Sequence, residues 1–162
     1  MRKITIFTVG GTIDKVYFDA SSEYKVGVPY IGRILERYKV YFDFEINTLL
    51  RKDSLELTDD DRTLISKEVS LCENERILIT HGTDTMEDTA RALSAIKNKV
   101  IVLTGALLPA NFKETDADFN VGTALGALWS LLPGVYIAMN GFVFLWDDVK
   151  KDKKASQFKL KN

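Results

Sequence analysis

Hydrophobic and polar positions along the chain fall into two rhythms. Short runs rich in β-branched residues occupy 3–9, 75–80, 99–104 and 134–139, the length and composition of strands buried on both faces. A fifth stretch, 42–49, alternates as Phe42-Asp43-Phe44-Glu45-Ile46, and a period of two predicts a half-exposed strand toward a sheet edge. Between these runs lie longer segments suited to helices. Pro29 ahead of Tyr30-Ile31-Gly32-Arg33-Ile34-Leu35 suits a first helical turn, and Thr58 before Asp59-Asp60-Asp61 reads as an N-cap with carboxylates on the helix dipole. A run to Ile96 follows Asp84, and Asp118 to Leu132 carries Ala124, Gly126 and Ala127, small enough to pack closely on a sheet. Strands alternating with helices predict an α/β class, a mostly parallel sheet flanked by helices in three layers.

Composition narrows this picture. The 162 residues suit one domain, and 46% hydrophobic content supports a sizeable core. Twenty-two Lys and Arg against 23 Asp and Glu give a net charge of −1, so no overall field recruits nucleic acid or an anionic membrane. Six lysines crowd the last thirteen residues, Lys150, Lys151, Lys153, Lys154, Lys159 and Lys161; a solvated tail is favoured over a polyanion-binding patch. The apolar run after Met1-Arg2-Lys3 is too short for a signal peptide, and no stretch is long enough to span a membrane. A cytoplasmic location is expected. Cys72 and His81 are the single cysteine and histidine, which excludes an intramolecular disulfide and a His/Cys zinc centre within one chain. Neither a metal nor an organic cofactor is expected, and acid–base work falls to carboxylates, Lys, Tyr or His81.

In open parallel sheets ligands bind beyond the carboxyl ends of the strands. Three predicted strands end there in glycine-bearing turns: Thr8-Val9-Gly10-Gly11-Thr12-Ile13-Asp14, Thr80-His81-Gly82-Thr83-Asp84-Thr85 and Thr104-Gly105-Ala106. Gly10-Gly11 alone reads as a tight turn, since it lacks both the dinucleotide-loop spacing and a Walker lysine. The His81 turn sets a hydroxyl beside a carboxylate; Asp84 or Thr85 could equally cap the helix beginning at Met86. A threonine needs a neighbour to take its proton, and Thr83, Asp84 and a distant lysine would form such a hydrogen-bonded set.

The segments Val9-Gly10-Gly11-Thr12-Ile13 and Ile79-Thr80-His81-Gly82-Thr83-Asp84-Thr85-Met86-Glu87-Asp88-Thr89-Ala90 closely resemble the two signature segments of the bacterial-type L-asparaginases. Val102 to Pro109 resembles that family's next strand and loop, and Asp118-Phe119-Asn120 the start of the helix after it. The resemblance implies Thr12 as nucleophile, and Thr83, Asp84 and Lys151 as a second constellation, with Lys150 the neighbouring alternative. It also implies a tyrosine on a mobile loop, for which Tyr24 is the candidate and Tyr17 the second. Gly11, Asp53, Ser54, Gly82 and Ala106 would meet the substrate, with Leu55 standing where the family prefers a polar group.

What the resemblance implies is hydrolysis of the side-chain amide of L-asparagine, or of L-glutamine, to the acid and ammonia. The alternative is a non-catalytic binding protein for aspartate- or asparagine-like amino acids. The chain resembles the family's first domain alone, over 1–162, with the second domain expected to be absent. Gly141 to Trp146 is bulky and apolar on both alternating faces, so it is expected either to meet a second subunit, a homodimer being the default, or to lie inside the sheet.

Overall fold

The computed structural model describes residues 3–161. Its centre is a six-stranded sheet in the order β4-β1-β5-β6-β7-β8. The strands are β1 (Lys3–Gly10), β4 (Asp43–Lys52), β5 (Arg76–Thr80), β6 (Val100–Thr104), β7 (Gly134–Met139) and β8 (Phe142–Leu145). Pairings from β4 through β7 are parallel, and β8 returns antiparallel to β7. All five strands expected from the sequence are present, and β4 lies at an edge as its alternation predicts. The apolar segment that could have been an inner strand is β8 at the opposite edge, with Phe144 buried and Phe142 and Leu145 each 51% exposed.

Alternation along the strands sorts the core into two layers. Phe7, Val9, Ile77, Ile79, Ile101, Leu103 and Ile137 face α2 (Asp59–Leu71) and α3 (Met86–Leu93). Ile4, Ile6, Leu78, Val100, Val102 and Ala138 face α1 (Ile31–Arg37) and α4 (Ala117–Ser130). Ala117, Ala124 and Ala127 of α4 are all buried in that second layer, the close packing that its small residues predict. Thr58 caps α2 through a full capping box with Asp61, an arrangement that contributes about 1 kcal/mol. Pro29 lies just outside α1 rather than in its first turn, because Tyr30 is the N-cap residue. The Tyr30 amide is instead satisfied at long range by the Asp14 carboxylate, 2.9 Å away.

Two antiparallel hairpins stand outside the central sheet. One pairs β2 (Lys15–Phe18) with β3 (Glu23–Val26), so the segment expected as a mobile loop has a defined ladder. The other pairs β9 (Val149–Asp152) with β10 (Gln157–Leu160), which corrects the expectation of a solvated lysine tail. Val149 and Phe158 of this hairpin are buried in the α2/α3 layer; burying a side chain the size of phenylalanine contributes about 2 kcal/mol. Among the described residues, no helix is long and apolar enough to cross a membrane.

Candidate active site

Four strand ends converge at the carboxyl edge of the sheet, and glycines let them touch. A Cβ on Gly11 would stand 2.3 Å from Cα and N of Gly82, one on Gly82 2.7 Å from Cβ of Ser54, and one on Gly105 2.2 Å from the His81 carbonyl oxygen. Gly11 also holds φ at +89°, a region that side-chain-bearing residues rarely adopt. The amide of Gly11 donates to the Lys52 carbonyl at 2.9 Å, which ties the β1 turn to the end of β4. Thr12 and Thr83 each follow one of the two touching glycines, so they flank a single contact. Thr12 is half-buried, and its hydroxyl makes no hydrogen bond to another described residue.

Thr83 is 7% exposed, and its Oγ1 accepts from Lys151 Nζ at 2.7 Å. The same ammonium donates to Asp84 Oδ1 at 2.7 Å. The structure therefore brings Thr83, Asp84 and Lys151 together across 67 and 68 residues of chain. Ladder geometry separates Lys151 from Lys150. Directly opposed residues share a face of an antiparallel pair, and Lys151 lies opposite buried Phe158 while Lys150 lies opposite Lys159 on the other face.

Helix capping is not what Asp84 and Thr85 do. Thr85 is the N-cap residue of α3 but makes no side-chain cap bond, its hydroxyl donating instead to the Ser54 carbonyl at 2.7 Å. The Ser54 hydroxyl accepts from the Asp84 amide at 3.1 Å, so buried Ser54 braces the turn from beneath. Asp53 accepts the Leu55 amide and pairs with Lys15 at 2.6 Å. Burial pushes the Asp53 pKa up, but the Lys15 ammonium and the Leu55 amide outweigh it, and the net shift is downward. Its carboxylate thus anchors the first hairpin to this edge. Tyr24 and Tyr17 are directly opposed in that hairpin, ring centroids 5.4 Å apart, and Tyr24 also meets Phe112 at 5.8 Å. The hydroxyls of both tyrosines make no hydrogen bond to a described residue.

His81 is wholly buried. Nδ1 lies 2.6 Å from the Gly82 carbonyl, so it carries the proton, and Nε2 accepts from the Thr89 hydroxyl at 2.7 Å. Burial lowers its pKa to about 4, and with both nitrogens engaged it is a neutral brace rather than a base for either threonine. Ala106 is buried beside Gly105, while the amides of Leu107 and Leu108 are taken by Asp116 at 3.0 Å. Among the described residues, no group of three or more His, Cys, Asp and Glu could hold a metal ion.

Sequence reasoning missed two contributors. Glu87 accepts the backbone amide of Lys151, and Asn140 accepts that of Phe158 at 2.8 Å. Glu87 lies inside the signature segment itself, and Asn140 holds a left-handed φ of 54° at the β7–β8 turn, for which Asn-Gly is the one local signal in the sequence.

The chain that carries this site is similar to known proteins. The family model described as asparaginase, N-terminal, matches residues 3–159. The chain belongs to the asparaginase N-terminal family. An L-asparaginase of Thermococcus kodakarensis is 38% identical over 112 residues, covering 66% of this chain and 34% of that protein. A probable periplasmic L-asparaginase of Haemophilus influenzae is 33% identical across 93% of this chain and 46% of its own length. The solved thermostable L-asparaginase from T. kodakarensis superposes with a TM-score of 0.85 at 28% identity, covering 99% of this chain and 52% of that one. This asparaginase-family chain thus spans about half the length of the relatives it matches, or less.

Proposed function

We propose that this asparaginase-family chain hydrolyses the side-chain amide of a small amino acid, L-asparagine first and L-glutamine second, to the acid and ammonia. Thr12 attacks the amide carbon to give an acyl-enzyme, with Tyr24 as the nearby proton donor and acceptor. Thr83 with Lys151 and Asp84 moves the second set of protons, Lys151 accepting in its neutral form and Asp84 steadying the ammonium that results. Gly11, Asp53, Ser54, Gly82 and Ala106 form the substrate's surroundings. The Asp84 amide is held by Ser54, so the amides of Thr83 and Ala106 are the donors assigned to the oxyanion. The observation that supports this reading is the Lys151 ammonium, 2.7 Å from both Thr83 Oγ1 and Asp84 Oδ1, beside the turn that carries Thr12.

We further infer that residues 3–159 act as one asparaginase-like N-terminal domain, that the protein works in the cytoplasm, where its lone Cys72 stays reduced, and that two copies pair. Phe142 and Leu145 on the open edge of β8 support the pairing. Light scattering at micromolar concentration is expected to give twice the chain mass; a monomer overturns that part.

The decisive experiment measures ammonia released from L-asparagine and L-glutamine by the wild type, Thr12→Ala and Thr83→Ala. Turnover in the wild type and a loss of about a thousandfold or more in each variant is expected. Retained activity in either variant overturns the mechanism, and a folded wild type with no turnover overturns the activity.

A further inference from the structure

Lys151 is carried on a hairpin that forms no ladder with the central sheet, yet its ammonium must stay within hydrogen-bond reach of two side chains. Antiparallel ladders alternate pairs that exchange amide bonds with pairs whose N–H groups both point outward. The Lys151–Phe158 pair is of the outward kind, because its two amides go elsewhere. The Lys151 amide donates to Glu87 Oε1, from the first turn of α3. The Phe158 amide donates to Asn140 Oδ1 at 2.8 Å, from the turn after β7. The one residue pair that bears the ammonium is thus held from both sides by side chains of the main body.

Both holds are backed by the main body. Glu87 is three residues beyond Asp84, so one short segment supplies both the partner of the Lys151 ammonium and the acceptor of its amide. Asn140 is in turn fixed by buried Asn120, whose Oδ1 accepts the Asn140 amide at 3.2 Å and whose Nδ2 donates to the Gly105 carbonyl at 3.0 Å and to Asp116 at 2.8 Å. The chain of bonds therefore runs from the turn after β6, through α4 and the β7–β8 turn, to the strand facing Lys151. Phe158 sets how deeply the hairpin sits, while the two amide bonds fix its rotation and its slide along the edge. An error of about 1 Å in a reacting group can cost roughly a hundredfold in rate, so these are the freedoms that matter.

We propose that Glu87 and Asn140 are positioning residues that clamp the Lys151–Phe158 pair and so hold the Lys151 ammonium against Thr83 and Asp84. This rests on reading that trio as catalytic, and the test separates the two claims. Asn140→Gly suits the left-handed φ but removes the acceptor, whereas Asn140→Asp keeps both; Glu87→Ala removes its acceptor and Glu87→Gln keeps it. The first readout is the ¹⁵N resonance of the Lys151 ammonium, kept visible by hydrogen bonds that slow its exchange with water, together with hydrogen exchange at the Lys151 and Phe158 amides. Expected are loss of the ammonium signal and faster amide exchange in Asn140→Gly and Glu87→Ala, with both restored in Asn140→Asp and Glu87→Gln.

The second readout is turnover of L-asparagine. In the two disrupting variants kcat should fall about tenfold to a hundredfold while KM stays within about a factor of two, and the conservative variants should recover it. An ammonium signal that survives in folded Asn140→Gly and Glu87→Ala overturns the clamp whatever the activity. A wild type that turns over no amide but loses the signal in these variants keeps the clamp and overturns the catalytic reading.

Discussion

The Lys151 side chain is nearly buried, with 12% of its surface exposed, and two of its three ammonium protons are committed to Thr83 and Asp84. Lys151→Met keeps the length and apolar stem but cannot carry a proton. It should lower kcat for L-asparagine by about a hundredfold to ten-thousandfold, whereas Lys150→Met, on the opposite face, should leave kcat within about twofold of the wild type. Steady-state kinetics of the pair decides; equal losses would mean that the face assignment is wrong. Thr83 and Asp84 were legible because one turn at a strand end carries both side chains. Lys151 was legible only through its resemblance to a known pattern, since its partners lie 67 and 68 residues away and six lysines crowd one stretch. Tyr24 shows a different limit: the sequence offers a tyrosine after the first turn, and the fold sets its ring on Tyr17 and Phe112.

Among the elements, those read best from the chain are those with a strong hydrophobic rhythm. The buried strands, β4 at its edge and the capping box of α2 all carry their signal within a few residues. The hairpins do not: the second buries just Val149 and Phe158 among polar neighbours, so a period of two scarcely registers over four-residue strands. The glycines give the elements their contact. Gly11→Ala should cost about 2 to 4 kcal/mol, since its Cβ would sit 2.3 Å from Gly82 at a φ of +89°. Gly126→Ala, in a helix with nothing within 4 Å of the new Cβ, should instead gain about 0.5 to 1 kcal/mol. Urea denaturation of both variants tests the contrast; a Gly11→Ala protein as stable as the wild type would remove the case for touching turns.

For the whole molecule, two buried groups set opposing responses to pH. Burial raises the Asp14 pKa from 3.8 to about 6, against the pull of the Tyr30 amide and the Arg51 charge. Between those values the folded state binds the extra proton, so this contribution to stability falls as pH rises. His81 works the other way: its folded pKa is about 4 against an ordinary 6.5, the unfolded chain binds the proton between them, and stability rises with pH. The two spans overlap, and wild-type stability should be nearly level from about pH 4.5 to pH 6. Asp14→Asn, whose Oδ1 can still accept the Tyr30 amide, removes the falling contribution. Its unfolding free energy should then rise relative to wild type by about 1.5 kcal/mol across that interval. Denaturation curves at several pH values check this, and parallel behaviour of the two proteins would refute it.

The second hairpin also has a consequence in time. A ribosome makes the chain from its amino end, so both threonines, Asp84 and the five parallel strands of the sheet are synthesised before residue 149. Up to that point the chain carries every parallel strand, yet Thr83 and Asp84 have no Lys151 beside them. On the proposed mechanism the fold and its proton acceptor are therefore acquired at different times: the sheet is complete in sequence before Lys151, which reaches Thr83 and Asp84 only once the second hairpin has docked.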